Sequence, residues 1–164
     1  MLKKTGIPNE GNLARIYPDK KRLIKGPVVI IECFQNIPCD PCAASCRFGA
    51  IKAFEDINDL PKVDFDKCTG CGICISSCPG LAIFVLDESY SETESLLKLP
   101  YEMLPLPKKG DYVWALDRDG QKLCKVIVDK FQKIKNKTNI VSILVPKNIS
   151  RKVRSVKVED NHDE

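Results

Sequence analysis

The chain of 164 residues has a single histidine, His162, in the acidic C-terminal sequence VEDNHDE. One histidine at a chain end excludes histidine-based acid–base catalysis, and it excludes a Rieske site, which needs two histidine ligands. The chain also has no glycine-rich nucleotide-binding loop. We therefore expect no catalytic site in this chain.

Long apolar runs are missing as well. The N-terminal sequence MLKKTGIPNEGNLARIY has no apolar segment of the signal-peptide kind, and no run approaches the length of a membrane span. Hydrophobic residues nevertheless make up 43% of the chain, which is typical of a globular protein. The sequence thus predicts a cytoplasmic protein of a reducing compartment, with no membrane span.

Cysteine is abundant, with eight of the nine residues between positions 33 and 78. The second half of that stretch, CTGCGICISSCPG, has the C-x2-C-x2-C-x3-C-P spacing of bacterial ferredoxins. In two-cluster ferredoxins three close cysteines bind one cluster and the fourth binds the other. The spacing therefore predicts two [4Fe–4S] clusters with crossed ligand sets. Cluster I would be bound by Cys33, Cys39, Cys42 and Cys78, and cluster II by Cys46, Cys68, Cys71 and Cys74.

The first cysteine run departs from this pattern. Asn36 stands where a cysteine is expected, and Arg47 stands where the proline is expected. Cys33, three residues earlier, is the replacement ligand if the FQNIP loop bulges. The alternative is that Cys33 is a buried strand thiol and that the first cluster is a [3Fe–4S] species or has a non-cysteine ligand. Arg47 is either a cation that tunes the nearby cluster or an ordinary solvated side chain.

Two other uses of cysteine are less consistent with the spacing. Zinc sites built from paired CxxC motifs normally have a longer spacer and four ligands in all. Disulfides need an oxidising compartment, to which nothing in the sequence points.

Five segments are predicted along the chain, in an α+β fold. They are an irregular N-terminal arm (1–26), a dicluster ferredoxin-like domain (27–88), a proline-rich strap or linker (89–110), a small antiparallel β-barrel or sandwich (111–158) and a disordered acidic tail (159–164). Within the second segment a cysteine loop, a short helix and a strand occur twice, which indicates an internal duplication. The first helix is predicted from Asp40-Pro41 to Gly49, and the strands are VVIIE, AIKAF, KVDF and AIFVL.

The strap has two interpretations. Ser91 and Glu94 have capping-box spacing and predict a short helix, and LPYEMLPLP then favours an extended, polyproline-like arm. It is either a semi-rigid linker or a segment that binds a partner. In the second case the apolar side chains of Tyr101, Met103, Leu104 and Leu106 would make the contact.

The segment 111–158 alternates like a series of strands, DYVWAL, LCKVIVDKF, NIVSILV and RKVRSVKV. Asp119-Gly120 predicts a hairpin turn, and residues 135–137 predict a loop. Cys124 is interpreted as a buried structural thiol and Trp114 as a core anchor.

Charge is uneven along the chain. Residues 121–157 carry eleven Lys or Arg against Asp129 alone, and the N-terminal arm is basic too, whereas the cysteine-rich segment is acidic. Basic flanks fit nucleic acid, the chain's own acidic module or an acidic partner subunit. Nucleic acid is disfavoured because aromatic residues are sparse and no stacking motif is present.

Several motifs together resemble a known family. GPVVIIECFQNIPCDPCAASC, the second cysteine run, LPYEMLPLP and GDYVWALDRDG look like the ferredoxin-type small subunits of FAD-dependent amino- and imino-acid dehydrogenase complexes, such as those for proline, hydroxyproline and sarcosine. The resemblance implies a non-catalytic subunit that carries single electrons between a flavoprotein partner and an acceptor, often beside a [2Fe–2S] subunit. Two alternatives stay open: a free ferredoxin-like carrier and an iron–sulfur protein that binds nucleic acid.

Overall fold

The structure is a computed structural model, and it describes residues 2–159. Its elements are, in chain order, helices α1 (Leu2–Thr5), α2 (Glu10–Ala14) and α3 (Lys20–Leu23), strand β1 (Val28–Ile31), helices α4 (Pro41–Ser45) and α5 (Ile73–Ser77), strands β2 (Ile83–Asp87), β3 (Glu94–Tyr101), β4 (Tyr112–Leu116), β5 (Lys122–Gln132) and β6 (Asn139–Pro146), a 3-10 turn (Lys147–Ile149) and strand β7 (Ser155–Lys157). Most of the predicted acidic tail, with His162, lies outside the described residues.

All seven strands belong to one antiparallel sheet of order β1-β2-β3-β6-β5-β4-β7. Strand β7 ends this order but also contacts β3. The sheet from β3 to β7 therefore curls back on itself and encloses a core on its inner face, while β1 and β2 extend it on one side.

One continuous core fills the inner face. Every strand contributes alternate residues to it, and α3 adds Leu23. The members of this core are Leu23, Val28, Ile30, Phe84, Leu86, Leu97, Leu99, Tyr101, Val113, Ala115, Val126, Val128, Val141, Ile143, Val145, Val153 and Val156. Burying one such aliphatic or aromatic side chain contributes about 1.5–3 kcal/mol. This core stabilises both the strands next to the cysteine loops and those of the C-terminal half.

Strand β3 overturns the prediction of a proline-rich strap. Residues 94–101 pair with β6 over their whole length and with β2 over residues 96–98. Pro100 fits because it lies beyond the β2 pairing, where its missing N–H leaves no ladder bond unmade. Ser91 and Glu94 form a turn into β3 and not a helix, with the Glu94 N–H donating to Ser91 Oγ at 2.9 Å.

The apolar residues of the same segment are divided between core and surface. Tyr101 is buried, and its hydroxyl donates to the Pro105 carbonyl at 2.8 Å. Leu106 is half-buried against the core, whereas Met103 and Leu104 are exposed. Of the four side chains suggested for a partner contact, only Met103 and Leu104 are therefore fully available.

Around the cysteines the local predictions are confirmed for strands β1 and β2 and for the two short helices. The first helix ends at Ser45, before the predicted Gly49, because Cys46 takes an extended conformation with φ −78° and ψ 96°. AIKAF and KVDF contribute only the isolated bridge between Ile51 and Val63. The N-terminal arm is not irregular, since it holds three short helices.

In the C-terminal half the hairpin at Asp119-Gly120 and the loop at residues 135–137 are confirmed. Trp114 is not a core anchor, because Val113 and Ala115 face the core and Trp114 faces outward. Its indole N–H donates to the Glu159 carboxylate at 2.5 Å. Cys124 lies half-buried at the margin of the core.

No helix within residues 2–159 combines the length and the apolar character that crossing a membrane requires.

Candidate iron–sulfur site

The outer face of the β1–β2 pair carries the cysteine loops. Val29 and Ile31 of β1 and their partners Val85 and Ile83 of β2 point away from the inner core. They form a second apolar cluster with α5 and with the cysteine side chains. Because side chains alternate along a strand, the same short strands serve the inner core and the cysteine loops at once.

Eight cysteines surround two cavities on this face. One cavity is lined by Cys33, Cys39, Cys42 and Cys78, above Ile31 and Ile83. The other is lined by Cys46, Cys68, Cys71 and Cys74, above Val29 and Val85. The structure thus groups the predicted site residues as two sets of four, each with three members from one run and one from the other.

The crossing arises at the ends of the two short helices. Cys46 follows α4 and Cys78 follows α5, and both adopt extended backbone conformations. That conformation ends the helix and directs the chain away from the loop that precedes it. Each helix therefore carries a cysteine of its own run on its body and ends at the cysteine that belongs to the neighbouring cavity.

The thiols within each cavity influence one another electrostatically. Burial, followed by the charges of Cys78 and Cys39, raises the pKa of Cys42 to about 11. Burial, followed by the charges of Cys68, Cys71 and Cys46, raises the pKa of Cys74 to about 12. Thiolates so close together in an apolar setting repel one another, so the anionic form needs cations between them, which iron supplies.

Backbone amides provide part of that stabilisation. The N–H groups of Val29 and Gly70 point at Cys68 Sγ, and that of Ala82 points at Cys78 Sγ, each at 3.4 Å. At Cys46, burial would raise the pKa, but the backbone amides of residues 48–51 together lower it. Amides directed at sulfur favour thiolate and tune cluster potentials.

Gly70 lets the second cysteine loop approach β1. Its φ is +65°, and a Cβ there would lie 2.4 Å from Pro27 Cβ and 2.7 Å from the Pro27 carbonyl carbon. Only glycine accommodates both the left-handed conformation and this contact.

Two cations that the sequence did not single out hold the same loop. Arg22 of α3 donates to the carbonyls of Phe65 and Cys68 at 2.7 and 2.8 Å. Lys98 of β3 donates to the Gly70 carbonyl at 2.9 Å. No local motif marks either residue, because each is brought to the loop by the tertiary fold.

The donor sets fit two cubane clusters. Each cavity offers four thiols and otherwise mainly apolar walls. Within residues 2–159 no three His, Cys, Asp or Glu side chains converge closely enough to hold a single metal ion. A cubane places its ligands on separate irons, so it takes thiolates spread around a core.

Comparison with known proteins agrees with this chemistry. The family model of the 4Fe–4S binding domain matches residues 61–84. Over 83 residues, half of the chain, it is 31% identical to a selenate reductase subunit of Mesobacillus selenatarsenatis, of which this match covers 26%. Over 54 residues, 33% of the chain, it is 45% identical to pyruvate synthase subunit PorD of Methanocaldococcus jannaschii, of which the match covers 60%.

A third relative belongs to the Na(+)-translocating ferredoxin:NAD(+) oxidoreductase complex of Acetobacterium woodii. This component of the complex is 46% identical over 48 residues, which is 29% of this chain and 14% of that protein. No solved structure matches the chain significantly. The iron–sulfur interpretation of the second cysteine run is confirmed, and the number of clusters stays a prediction.

Proposed function

We propose that the chain is an electron-transfer subunit of an oxidoreductase complex and that it carries single electrons through two [4Fe–4S] clusters. The observation that supports this most directly is the pair of four-cysteine cavities side by side on one sheet face. In this proposal all eight cysteines between positions 33 and 78 are ligands, and Cys33 replaces the cysteine missing at position 36.

The spacing of the two cavities suits electron transfer. Their floors are the cross-strand pairs Val29–Val85 and Ile31–Ile83, two residues apart along the same strands. At 3.2–3.4 Å per residue, this puts the floors about 7 Å apart. Helices α4 and α5 contact each other beside them. Electrons can thus pass between the clusters without crossing the inner core.

Each cavity also lies near the surface. Cys71 and Phe48 are exposed at the cluster II cavity, and Ile37 is exposed at the cluster I cavity. Electrons can therefore enter at one end and leave at the other, as transfer from a donor to an acceptor requires.

We further propose that the donor is an FAD-containing dehydrogenase subunit that oxidises an amino or imino acid, in a complex that can include a [2Fe–2S] subunit. The relatives support membership of a complex in general, since their names describe subunits of reductase, synthase and ion-translocating complexes. The flavoprotein partner rests on the motif resemblance alone. Flavin gives up two electrons, and two one-electron centres can accept them stepwise.

The cluster assignment is tested by iron content and EPR on anaerobically purified protein. We expect about eight irons per chain and magnetic coupling between two reduced centres, because two four-cysteine sites each hold a four-iron cluster. Cys33→Ser should lower the iron content and perturb one centre, whereas Cys124→Ser, outside both cavities, should not. Four irons in the wild type, or an unchanged spectrum for Cys33→Ser, would contradict the assignment.

The complex is tested by anaerobic affinity purification of the protein from its native cells. We expect flavin to co-elute, and we expect proline, hydroxyproline or sarcosine to bleach both flavin and cluster absorbance. A protein that elutes alone and free of flavin would instead support a freely diffusing carrier.

A further inference from the structure

The two cavities differ in the charges built around them. The loop of the cluster II cavity is held through its carbonyls by two cations, Arg22 and Lys98. In the described part of the chain no lysine or arginine side chain donates to the cluster I loop, residues 33–46. Asp59 lines the cluster I cavity, and no acidic side chain lines the cluster II cavity.

Lys98 stands on the cluster face of the sheet. It is the cross-strand partner of Val85, which lines the cluster II cavity. Partners in an antiparallel pair point to the same face with Cβ atoms about 4.5–5.5 Å apart. Its neighbour on the other side, Ser142, is buried. A half-buried ammonium group is thus held beside the cluster II cavity.

Its bond to the Gly70 carbonyl fixes where the charge lies. Gly70 falls between Cys68 and Cys71, two residues that line the cavity, and Lys98 Nζ is 2.9 Å from its oxygen. The aliphatic stem of Lys98 passes Gly72, with Cδ 3.8 Å from the position of a Cβ there. The side chain therefore runs along the loop that wraps the cluster.

Cations near cluster I are partly neutralised. Arg118 and Arg154 approach that end of the molecule, but both bind the Glu32 carboxylate next to Cys33. The nearest charges at cluster I are thus two cations, this carboxylate and Asp59, whereas cluster II has two cations on its loop with no carboxylate bound to either.

We infer that Lys98 raises the reduction potential of cluster II and that Asp59 lowers that of cluster I, so that an electron resides preferentially on cluster II. The inference rests on the proposed function. Reduction adds one negative charge to a cluster, which a fixed cation nearby stabilises and a fixed carboxylate opposes. Arg22 contributes in the same direction, but it also ties α3 to the loop, so Lys98 is the residue that separates charge from support.

The test uses the full-length holoprotein and a redox titration followed by EPR. Lys98→Met removes the charge, Lys98→Arg retains it, and Asp59→Asn removes the carboxylate with little change of shape. Lys157→Met, on the exposed side of the edge strand β7, is the matched control. We expect Lys98→Met to lower the potential of one centre, Asp59→Asn to raise that of the other, and Lys98→Arg and Lys157→Met to leave both in place.

Each alternative outcome is distinguishable. If Lys98→Met and Asp59→Asn move the same centre, or if Lys98→Arg shifts the potential as far as Lys98→Met does, the charge assignment is overturned and Lys98 only supports the loop. A wild-type protein with fewer than two reducible centres would instead overturn the proposed function, before any variant is compared.

Discussion

Replacing Glu32 by glutamine removes a carboxylate that two buried arginines share. Arg118 donates to it through two nitrogens, and Arg154 Nε lies 3.2 Å from Glu32 Oε2. The three side chains are only 7%, 13% and 11% exposed. Glu32 ends the β1 segment, Arg118 lies in the β4–β5 turn and Arg154 precedes β7, so the cluster joins the cysteine-bearing edge of the sheet to the opposite edge.

The expected loss of stability is large. Breaking a buried ion pair by removing one partner costs about 3–5 kcal/mol, because the remaining charge stays buried and unpaired. Here two guanidinium groups would be left facing each other. Burial already lowers the pKa of Arg154 even with Glu32 present. Glutamine can keep one hydrogen bond, so we expect about 3 kcal/mol, against a total of about 5–15 kcal/mol for an ordinary domain.

Urea unfolding of the anaerobic holoprotein measures this loss. Circular dichroism and cluster absorbance should be followed together, since a single free energy of unfolding requires coincident transitions. Glu159→Gln is the control, because Glu159 forms a comparable pair with Lys125 at the exposed surface. Glu32→Gln/Arg118→Gln should lose less than the sum of the single variants. A Glu32→Gln midpoint equal to that of Glu159→Gln would refute the reasoning.

Two further predictions concern other parts of the molecule. Gly70→Ala should cost more than the roughly 1–2 kcal/mol of left-handed strain, because its Cβ meets Pro27, and should release iron from cluster II first; Gly80→Ala, with no atom within 4 Å of its Cβ, is the control, and equal iron retention by both would contradict the prediction. Burial and the Glu32 charge raise the pKa of Tyr17 to about 12, so its contribution, about 2–3 kcal/mol, is complete below pH 10 and is lost between pH 10 and 12. Tyr17→Phe should flatten that part of the urea-stability profile and remove a tyrosinate absorbance step near pH 12; an unchanged profile would contradict this.

Local patterns predicted much of the site and part of the fold. The spacing of the cysteines sufficed to sort them into the two groups that surround the cavities, because loop length limits which thiols can reach one cluster. Strands β1 and β2 and the hairpin at Asp119-Gly120 followed from apolar runs and turn residues. These features depend on neighbours in the sequence, which a single chain shows directly.

The features that the sequence concealed all depend on distant residues. Glu32 meets Arg118 and Arg154, which are 86 and 122 residues away in the chain. Lys98 and Arg22 reach the second cysteine loop from separate elements. Each is an ordinary charged residue in its local context, and only the folded arrangement distinguishes it from a solvated side chain.

Strand β3 shows why the predicted division into a cluster module, a strap and a β-domain does not describe the sheet. Its prolines and its Ser-Glu spacing predict a linker, but its alternate residues Leu97, Leu99 and Tyr101 complete the inner core. The opposite face of β3 carries Lys98 to the cysteine loop. A strand between β2 and β6 therefore couples the cluster II loop to the core of the C-terminal half, so a change in how β3 packs must also change the position of a charge beside that cluster.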